Sequence, residues 1–386
     1  MHNEPKDQPI QSPKKIREPH KILIKRPDTI GGKLPWLNWK NSKTWRHISQ
    51  AIFMLINLYI GVTFYFWVRY YETGELSILA DRSAGIEGWL PLAGLMNLKF
   101  TLLTHQIPPI YAGSLFLLVV FLFISFVFKR SFCSWLCPVG TLSELLWQFG
   151  HRIFKRNITI HQWLDIPLRS LKYLLLVVIF YFLIPLSIMD IVGFLTSPYG
   201  MIIDVKMLDF FRAIGQTTLI VVTVLTISSV FIKNVWCRYL CPYGALMGIV
   251  SIFSPFKIRR DPDACIDCNR CAQACPSRLP VDCLIQVRSI ECTTCLSCVE
   301  VCPAKDALQL ATKPIKITAT NGEADKIQAR WQGKKVLGIA VMLFIYISVF
   351  AVIGYAKYLN RWDSPVPEQY YKQYINIAKK IPHPYA

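Results

Sequence analysis

The chain has 386 residues, 53% of them hydrophobic, and its mean hydropathy is +0.34. That hydropathy is too high for a soluble protein of this length and predicts an integral membrane protein. The formal net charge of +19 would suit nucleic-acid binding, but the basic residues follow the pattern of a membrane topology, so no nucleic-acid partner is predicted.

Residues 1–46 are polar and basic, and they lack the apolar core of a secretory signal peptide. Five apolar stretches then approach the length of about 20 residues that spans a bilayer. They are residues 48–68, 110–128, 172–189, 216–232 and 336–356. A further apolar region, Gly88 to Leu103, contains Pro91, Gly94 and Lys99 and predicts an interfacial or re-entrant segment.

Basic side chains alternate between the loops. Lys and Arg number eleven in 1–46, seven in 129–172 and fifteen in 233–335, against three in 69–108, two in 190–215 and five from Lys357 onward. Basic loops stay on the cytoplasmic side and interact with anionic lipid. We therefore predict five transmembrane helices in a bacterial cytoplasmic (inner) membrane. The N-terminus and residues 233–335 would be cytoplasmic, and the tail 358–386 extracytoplasmic.

The membrane part contains a repeat: the segment from Lys129 to Leu142 matches that from Lys233 to Leu246, 104 residues later. Each copy is predicted to be a helix pair whose second helix ends at a Cys-x-x-x-Cys-Pro motif. Two such hairpins, related by an axis along the membrane normal, would form a four-helix bundle.

The two motifs supply the thiols of Cys133, Cys137, Cys237 and Cys241. Cysteines four apart share one face of a helix, and the prolines that follow, Pro138 and Pro242, are predicted to end or kink it. If the two copies face each other, the four sulfurs would suit a third iron–sulfur cluster, a copper(I) ion or a thiol–disulfide pair. The alternative, small buried residues at helix ends, is disfavoured because both cysteines, the proline and a glycine are all duplicated.

A quinol site is weakly indicated on the outer side. Asp204, Lys206, Asp209 and His105 lie near apolar segments, where a proton acceptor could meet a quinol headgroup. The preferred interpretation is that they are ordinary charged residues at the membrane surface. No two histidines lie at matching depth on facing helices, so haem is not predicted.

Two further cysteine runs have the spacing of a bacterial ferredoxin. Cys265, Cys268 and Cys271 precede Cys275-Pro276, and Cys292, Cys295 and Cys298 precede Cys302-Pro303. In such runs three thiolates bind one [4Fe–4S] cluster and the fourth binds the other. The predicted ligands are Cys265, Cys268, Cys271 and Cys302 for the first cluster, and Cys292, Cys295, Cys298 and Cys275 for the second. Structural zinc sites are the alternative, but they use separated Cys pairs, often with His, and no His lies between His161 and His383.

The remaining cysteine, Cys283, is predicted to be a small buried apolar residue. Because twelve of the thirteen cysteines lie in ligand motifs, they indicate thiols kept in a reducing compartment.

The predicted fold is an α-helical integral membrane protein of about five transmembrane helices, with an inserted cytoplasmic α+β ferredoxin domain. The expected parts are a basic segment (1–46), a four-helix membrane domain (47–256), the ferredoxin domain (257–312), a linker (313–335), the fifth helix (336–357) and the tail (358–386).

These motifs in this order resemble the membrane polyferredoxins. That family includes the membrane subunit of the nitrate reductase quinol dehydrogenase (NapH-type), the membrane part of the nitrous-oxide reductase regulator, and the accessory protein of cbb-type oxidases. The resemblance covers about residues 45–357. It implies electron transfer at the membrane, with quinol or copper as partner. The chain has no room for the regulator's extra flavin domain, and its fifth helix and tail are additional to the nitrate reductase subunit.

Our main hypothesis is an electron-transfer protein that passes electrons between a membrane carrier, quinol or quinone, and a redox partner protein. The alternatives are a copper-reducing assembly factor for a respiratory oxidase and a redox-sensing regulatory membrane protein. Whether the chain is itself an enzyme, as part of a quinol dehydrogenase or a cupric reductase, stays open at this point.

Overall fold

The computed structural model describes residues 41–74, 76–78, 80–155, 157–158, 160–304, 306–312, 316–318, 328–330, 336–378 and 381. Most of the predicted basic segment, most of the linker and the end of the tail lie outside these residues. The described part belongs to one compact unit, Asn38–Ala386.

The described residues from Asn41 to Phe253 are mainly helical. Their helices are α1 (Ser42–Glu72), α2 (Pro91–Thr104), α3 (Ala112–Phe128), α4 (Ser131–Trp135), α5 (Pro138–Phe154), α6 (Gln162–Leu183), α7 (Ile188–Thr196), α8 (Pro198–Met201), α9 (Ile203–Arg212), α10 (Gln216–Phe231) and α11 (Pro242–Val250). Three shorter pieces are a 3₁₀ segment (Ala84–Trp89), a π-helical segment (Trp236–Leu240) and a 3₁₀ turn (Ser251–Phe253).

The ferredoxin domain follows. It contains β1 (Lys257–Arg260), α12 (Arg270–Ala274), α13 (Ser297–Glu300) and β2 (Leu308–Ala311). The two strands pair antiparallel, with Lys257 opposite Ala311. A second antiparallel pair, β3 (Lys316–Thr318) and β4 (Gln328–Arg330), lies within the predicted linker. The chain ends with α14 (Gly338–Tyr358) and α15 (Glu368–Tyr374).

Each of the five predicted apolar stretches contains a helix, but the prediction of five spans is not confirmed. Three helices are long and apolar enough to cross a membrane: Ser42–Glu72, Trp163–Leu183 and Gly338–Tyr358. A fourth span would require α9 and α10 to count as one, although they meet at an angle of 76°. Helix α3 has 17 residues, which at 1.5 Å per residue is about 26 Å, shorter than the hydrocarbon core of about 30 Å.

Helix α6, which corresponds to the third predicted apolar stretch (172–189), also differs from its predicted bounds. It begins at Gln162, ten residues before the apolar stretch, and it ends at Leu183. The early start is stabilised by Asp165 in the first turn, whose carboxylate forms ion pairs with Arg169 and Arg238.

The repeat is visible in the packing. Helices α3, α4 and α5 correspond to α10, the π-helical segment and α11. Helix α3 packs on α11 and α10 packs on α5, so the first helix of each copy contacts the last helix of the other. This exchange brings the two Cys-x-x-x-Cys segments together.

The ferredoxin domain shares a hydrophobic core with the helices. One cluster of buried side chains includes Ile124 and Trp135 from the helices and Ile258, Leu296 and Leu310 from the ferredoxin. The starts of α1 and α14 lie at this junction, because the Ser42 backbone N–H donates to Glu300 at 2.5 Å and its hydroxyl accepts from the N–H of Gly338 at 3.2 Å. The ferredoxin is therefore docked against the helical part.

Candidate electron-transfer site

The two Cys-Pro steps begin helices. The preceding helical segments end at Trp135 and Leu240, as the prolines predict, and new helices begin at Pro138, the first residue of α5, and Pro242, the first residue of α11. Proline suits the first helical position because its φ is already helical and an N–H there would have no partner in the helix. Cys137 and Cys241 consequently cap the two helices, and the Cys241 sulfur accepts a hydrogen bond from the N–H of Gly244 at 3.3 Å.

The repeated glycines allow the close approach. A Cβ on Gly140 would stand 2.3 Å from the carbonyl oxygen of Cys133, and a Cβ on Gly244 would stand 2.8 Å from the guanidinium of Arg130. A larger residue at Gly140 would therefore displace the backbone of its own motif, and one at Gly244 would displace the Arg130 guanidinium.

All four motif cysteines line one cavity of about 410 Å³. Other walls come from α1, α3 and α14, with Phe53, Leu117 and Val349 among the apolar side chains. Burial raises the pKa of the Cys137 thiol to about 12, and the neighbouring Cys133 adds to this effect. Burial likewise raises the pKa of Cys237, with further contributions from Cys137, Cys241 and Cys133.

No single-ion site is present among the described residues, since no three His, Cys, Asp or Glu side chains converge closely enough to hold one metal ion. The same holds for the ferredoxin cysteines. Ligands of one tetrahedral ion lie about 2.3 Å from it, so their sulfurs must be close together.

The ferredoxin cysteines form two groups, each lining a small cavity. One cavity is lined by Cys275, Cys292, Cys295 and Cys298, and the other by Cys265, Cys268, Cys271 and Cys302. Each group contains three cysteines of one run and the Cys-Pro cysteine of the other. The cavity walls are apolar and shaped by the loops themselves, so the residues fit a cluster at each place.

The loops between these cysteines have unusual backbone conformations. Asp267 and Asn269 in the first run, and Thr294 and Leu296 in the second, have φ between 48° and 60°. A left-handed conformation is rare for a β-branched residue such as Thr294. In both runs the two residues of positive φ flank the second cysteine, Cys268 in the first and Cys295 in the second.

Cys283 belongs to neither group. It is exposed, and its thiol lies 3.4 Å from the carboxylate of Asp282. The prediction that it is a buried apolar residue is wrong, because the turn that follows Pro280 leaves it on the surface.

The first motif contacts the second ferredoxin loop directly. The Trp135 indole N–H donates to the carbonyl of Thr294 at 3.1 Å, and the Ser134 hydroxyl donates to the carbonyl of Thr293 at 2.7 Å. Both acceptors lie between Cys292 and Cys295, and both donors lie between Cys133 and Cys137. The two cysteine loops are thus joined by hydrogen bonds, with Trp135 fully buried between them.

A buried ion group supports this junction. Glu291, which precedes Cys292, pairs with Arg130 at 2.9 Å and with Lys172 at 2.6 Å. Burial alone would raise the pKa of Glu291, but the two cations hold it below the usual range. Arg130 also donates to the carbonyl of Cys237 at 3.3 Å, so it contacts both motif copies and the ferredoxin. No sequence pattern beyond the separate charged residues indicates this ion group.

The residues considered for a quinol site are not brought together. Asp204 is fully buried and pairs with Arg82 at 2.9 Å, whereas His105 is exposed at the end of α2. Lys206 donates to the carbonyl of Ile381 at 2.8 Å, and Asp209 lies 3.7 Å from Arg212.

Comparison with known proteins identifies the family to which the chain belongs. A "4Fe-4S binding domain" matches residues 111–157 and again 214–261, and a "4Fe-4S dicluster domain" matches residues 257–303. The putative electron transport protein YccM of Escherichia coli (strain K12) is 52% identical over 359 residues, which are 93% of this chain and 97% of that protein. The chain belongs to the membrane polyferredoxin family. It is an iron–sulfur electron-transfer protein of the membrane.

Other members of the family are more distant. The ferredoxin-type protein NapH of Escherichia coli (strain K12) is 28% identical over 194 residues, or 48% of this chain and 63% of that protein. The regulatory protein NosR of Stutzerimonas stutzeri is 26% identical over 227 residues, covering 55% of this chain and 30% of NosR. No solved structure matches the chain significantly.

Proposed function

We propose that this protein carries electrons between a membrane quinone and a redox partner protein, by way of the four motif cysteines and then the ferredoxin. The observation that carries the proposal is the position of the Cys133–Cys137 loop. On one side its cysteines line the large apolar cavity, and on the other its Ser134 and Trp135 bond to the ferredoxin loop.

The ferredoxin groups support the crossed ligand sets. Cys265, Cys268, Cys271 and Cys302 would hold one [4Fe–4S] cluster, and Cys292, Cys295, Cys298 and Cys275 the other. Bound at these positions, such clusters accept and release single electrons. The loop of the second group is hydrogen-bonded to the Cys133–Cys137 loop, and all four cysteines of this group are buried. The first group is more exposed, with Cys265, Cys268 and Cys302 partly accessible, so the partner protein would dock there.

We assign the motif cysteines Cys133, Cys137, Cys237 and Cys241 to a third [4Fe–4S] cluster. Support comes from the two matches of a 4Fe-4S binding domain, each of which contains one Cys-x-x-x-Cys-Pro motif and no other cysteine. It also comes from the single cavity that all four motif cysteines line together. No observation favours the copper-reducing or sensing alternatives.

The cavity suits a quinone. Its volume of about 410 Å³ lies within the range of about 300–1,000 Å³ typical of small-molecule sites, and its walls are mainly apolar. The lining residues Ile56 of α1 and Phe350 of α14 are 36% and 60% exposed, so we infer that the cavity opens between these two helices. The polar side chains of Asn57, Ser83 and Trp89 line it for recognition of a headgroup, with the Trp89 indole donating to Asn57 at 3.1 Å.

We further propose the topology that the basic loops indicate, with the ferredoxin in the cytoplasm of a bacterium and the tail outside. The ferredoxin lies at the starts of α1 and α14, whereas the aromatic rings of Trp67, near the end of α1, and Tyr371, in α15, pack together with centroids 4.7 Å apart. The ferredoxin and α15 therefore lie at opposite ends of α1.

The experiment is quinol-driven reduction of the purified, anaerobic protein, followed by EPR of the clusters after mixing with decylubiquinol or a short-chain menaquinol. Val349→Phe fills the cavity, so quinol-driven reduction should slow at least tenfold while reduction by dithionite is unchanged. The matched control, Ile347→Phe, changes a side chain on the same helix that is 66% exposed, and it should react like the wild type. Equal quinol rates in both variants, or no reaction of the wild type with either quinol, would reject the proposal.

A further inference from the structure

A buried ion cluster lies at the end of the helical part away from the ferredoxin. It consists of Arg82, Glu87 and Asp204, and the two carboxylate side chains are fully buried. Arg82 lies in the loop before the 3₁₀ segment, Glu87 within that segment, and Asp204 in α9. The hydroxyl-bearing rings of Tyr111 and Tyr371 face the cluster from α3 and α15.

The Arg82 guanidinium is shared by the carboxylates of Asp204 and Glu87, and it lies closer to Asp204. Arg82 bonds Asp204 with an N···O distance of 2.9 Å, whereas its contacts with Glu87 are 3.4 and 3.5 Å. Asp204 accepts a further bond from the N–H of Val205 at 2.9 Å. The Oε2 atom of Glu87 accepts no hydrogen bond of good geometry among the described residues, because the backbone N–H of Ser114, which approaches the carboxylate, donates to the carbonyl of Tyr111 at 3.1 Å. The group is therefore one positive charge short, and Glu87 is the less satisfied acid.

This imbalance makes Glu87 easy to protonate. Burial raises its pKa to about 7, an effect that Arg82 opposes and the negative charge of Asp204 reinforces. A carboxyl group with a pKa near the working pH can take up and release a proton readily. A fully paired structural carboxylate would instead stay ionised throughout the neutral range.

Glu87 lies directly behind a wall of the cavity. Its neighbours in the 3₁₀ segment, Gly85 and Gly88, line the cavity, as does Ser83, the chain neighbour of Arg82. The Oε2 atom of Glu87 lies 2.8 Å from the point where a Cβ on Gly113 would stand. The carbonyl of Trp362, another lining residue, lies 3.2 Å from that same point. On its other side, Arg82 is partly accessible and follows the exposed Asp81, which leads to solvent.

We propose that Glu87 is the proton-exchange site of the cavity, taking the protons of a quinol during its oxidation or supplying them during quinone reduction. This inference rests on the function proposed above. A quinol that is oxidised loses two electrons, which pass singly to the iron–sulfur centres, and two protons. The Glu87 carboxylate takes each proton in turn, by way of the Trp362 side of the cavity, and releases it past Arg82 to water. This step requires no further oxidant, reductant or proton acceptor.

The test compares Glu87→Gln with the wild type and with Glu368→Gln, a control that removes an exposed carboxylate at the same end of the molecule. Decylubiquinol and a short-chain menaquinol are the probes, and reduction of the clusters is followed by EPR between pH 5.5 and 8.5. In the wild type the rate should rise with pH through about 7, because the ionised form accepts the proton. Glu87→Gln should lose this dependence and about 10²-fold in rate, with unchanged iron content and unchanged reduction by dithionite.

A second readout is independent of turnover. Redox-induced infrared difference spectra of the wild type with bound quinone should contain a band of a protonated carboxyl group, and that band should be missing in Glu87→Gln and retained in Glu368→Gln. If Glu87→Gln assembles no clusters, Glu87→Asp replaces it and should shift the pH profile.

The outcomes separate the two proposals. A wild type that does not react with quinol rejects the function proposed above. A wild type that reacts, together with a Glu87 variant of identical pH profile and an unchanged carboxyl band, rejects only the role of Glu87 and leaves a purely structural ion cluster.

Discussion

Arg130 distinguishes the two copies of the repeat. Its counterpart in the second copy is Asn234, and only Arg130 reaches both the Cys237 carbonyl and Glu291. Removing one partner of a buried ion pair typically costs about 3–5 kcal/mol, because the other charge is left uncompensated. We therefore expect the docking of the ferredoxin on the helices to depend on the ion pairs of Glu291 with Arg130 and Lys172.

The crossed ligand sets make a prediction for single cysteines. Cys302→Ala should damage the cluster that Cys265, Cys268 and Cys271 hold, and Cys275→Ala should damage the other, since each lines the cavity of the opposite run. EPR of each purified variant, reduced stepwise, measures which signal is lost. The control is Cys283→Ala, which removes an exposed thiol from neither group and should leave both signals. Loss only of the cluster of its own run in Cys302→Ala would refute the crossed assignment.

At the scale of elements, the short helix α4 connects the membrane motif cysteines with the second ferredoxin loop. Trp135→Phe keeps most of the buried ring but removes the hydrogen bond to Thr294, so we expect slower electron transfer into the ferredoxin with full iron content. Rapid mixing with quinol and freeze-quench EPR measures the delay. Trp163→Phe, at a position 71% exposed, is the matched control and should show none. A wild-type rate in Trp135→Phe would show that this bond is not part of the electron path.

Much of the helical architecture could be predicted from hydropathy, but helix ends and spans could not. The five apolar stretches each contain a helix because apolar runs of that length favour one in lipid or in a core. Hydropathy cannot tell a lipid-facing helix from a buried one, and α3 is both short and largely buried. Pro138 and Pro242 follow helix ends as predicted, but it was not predicted that each also begins the next helix, a position that suits proline.

At the scale of the whole molecule, the cysteine spacing and the repeat predict the cysteines of the site. The charged residues around these cysteines are brought together by contacts between distant parts of the sequence. Glu291 pairs with Arg130, 161 positions earlier, and Asp204 pairs with Arg82, 122 positions earlier. Nothing in the sequence near those charges marks their partners. The cavity likewise is built from α1, α3 and α14, and its shape depends on packing that no local pattern encodes.

The proposed topology makes a prediction for reporter fusions. A reporter fused after Ala386 should be active only if it works outside the cytoplasm, and one inserted near Asn321 only if it works inside. The reason is the concentration of Lys and Arg in 1–46, 129–172 and 233–335. Paired phosphatase and fluorescent reporters at both positions give the measurement, and activity of both reporters on the same side would overturn the arrangement.

The central claim is that the two membrane motifs and the ferredoxin hold one continuous set of iron–sulfur centres. Anaerobic analysis of iron and acid-labile sulfide per chain in the purified full-length protein, beside Cys133→Ser and Cys237→Ser, tests it most directly. With four irons in each cluster, we predict about twelve irons in the wild type and about eight in either variant, with both ferredoxin EPR signals intact in all three proteins. About eight irons in the wild type and in both variants would contradict the claim and leave the motif thiols without a cluster.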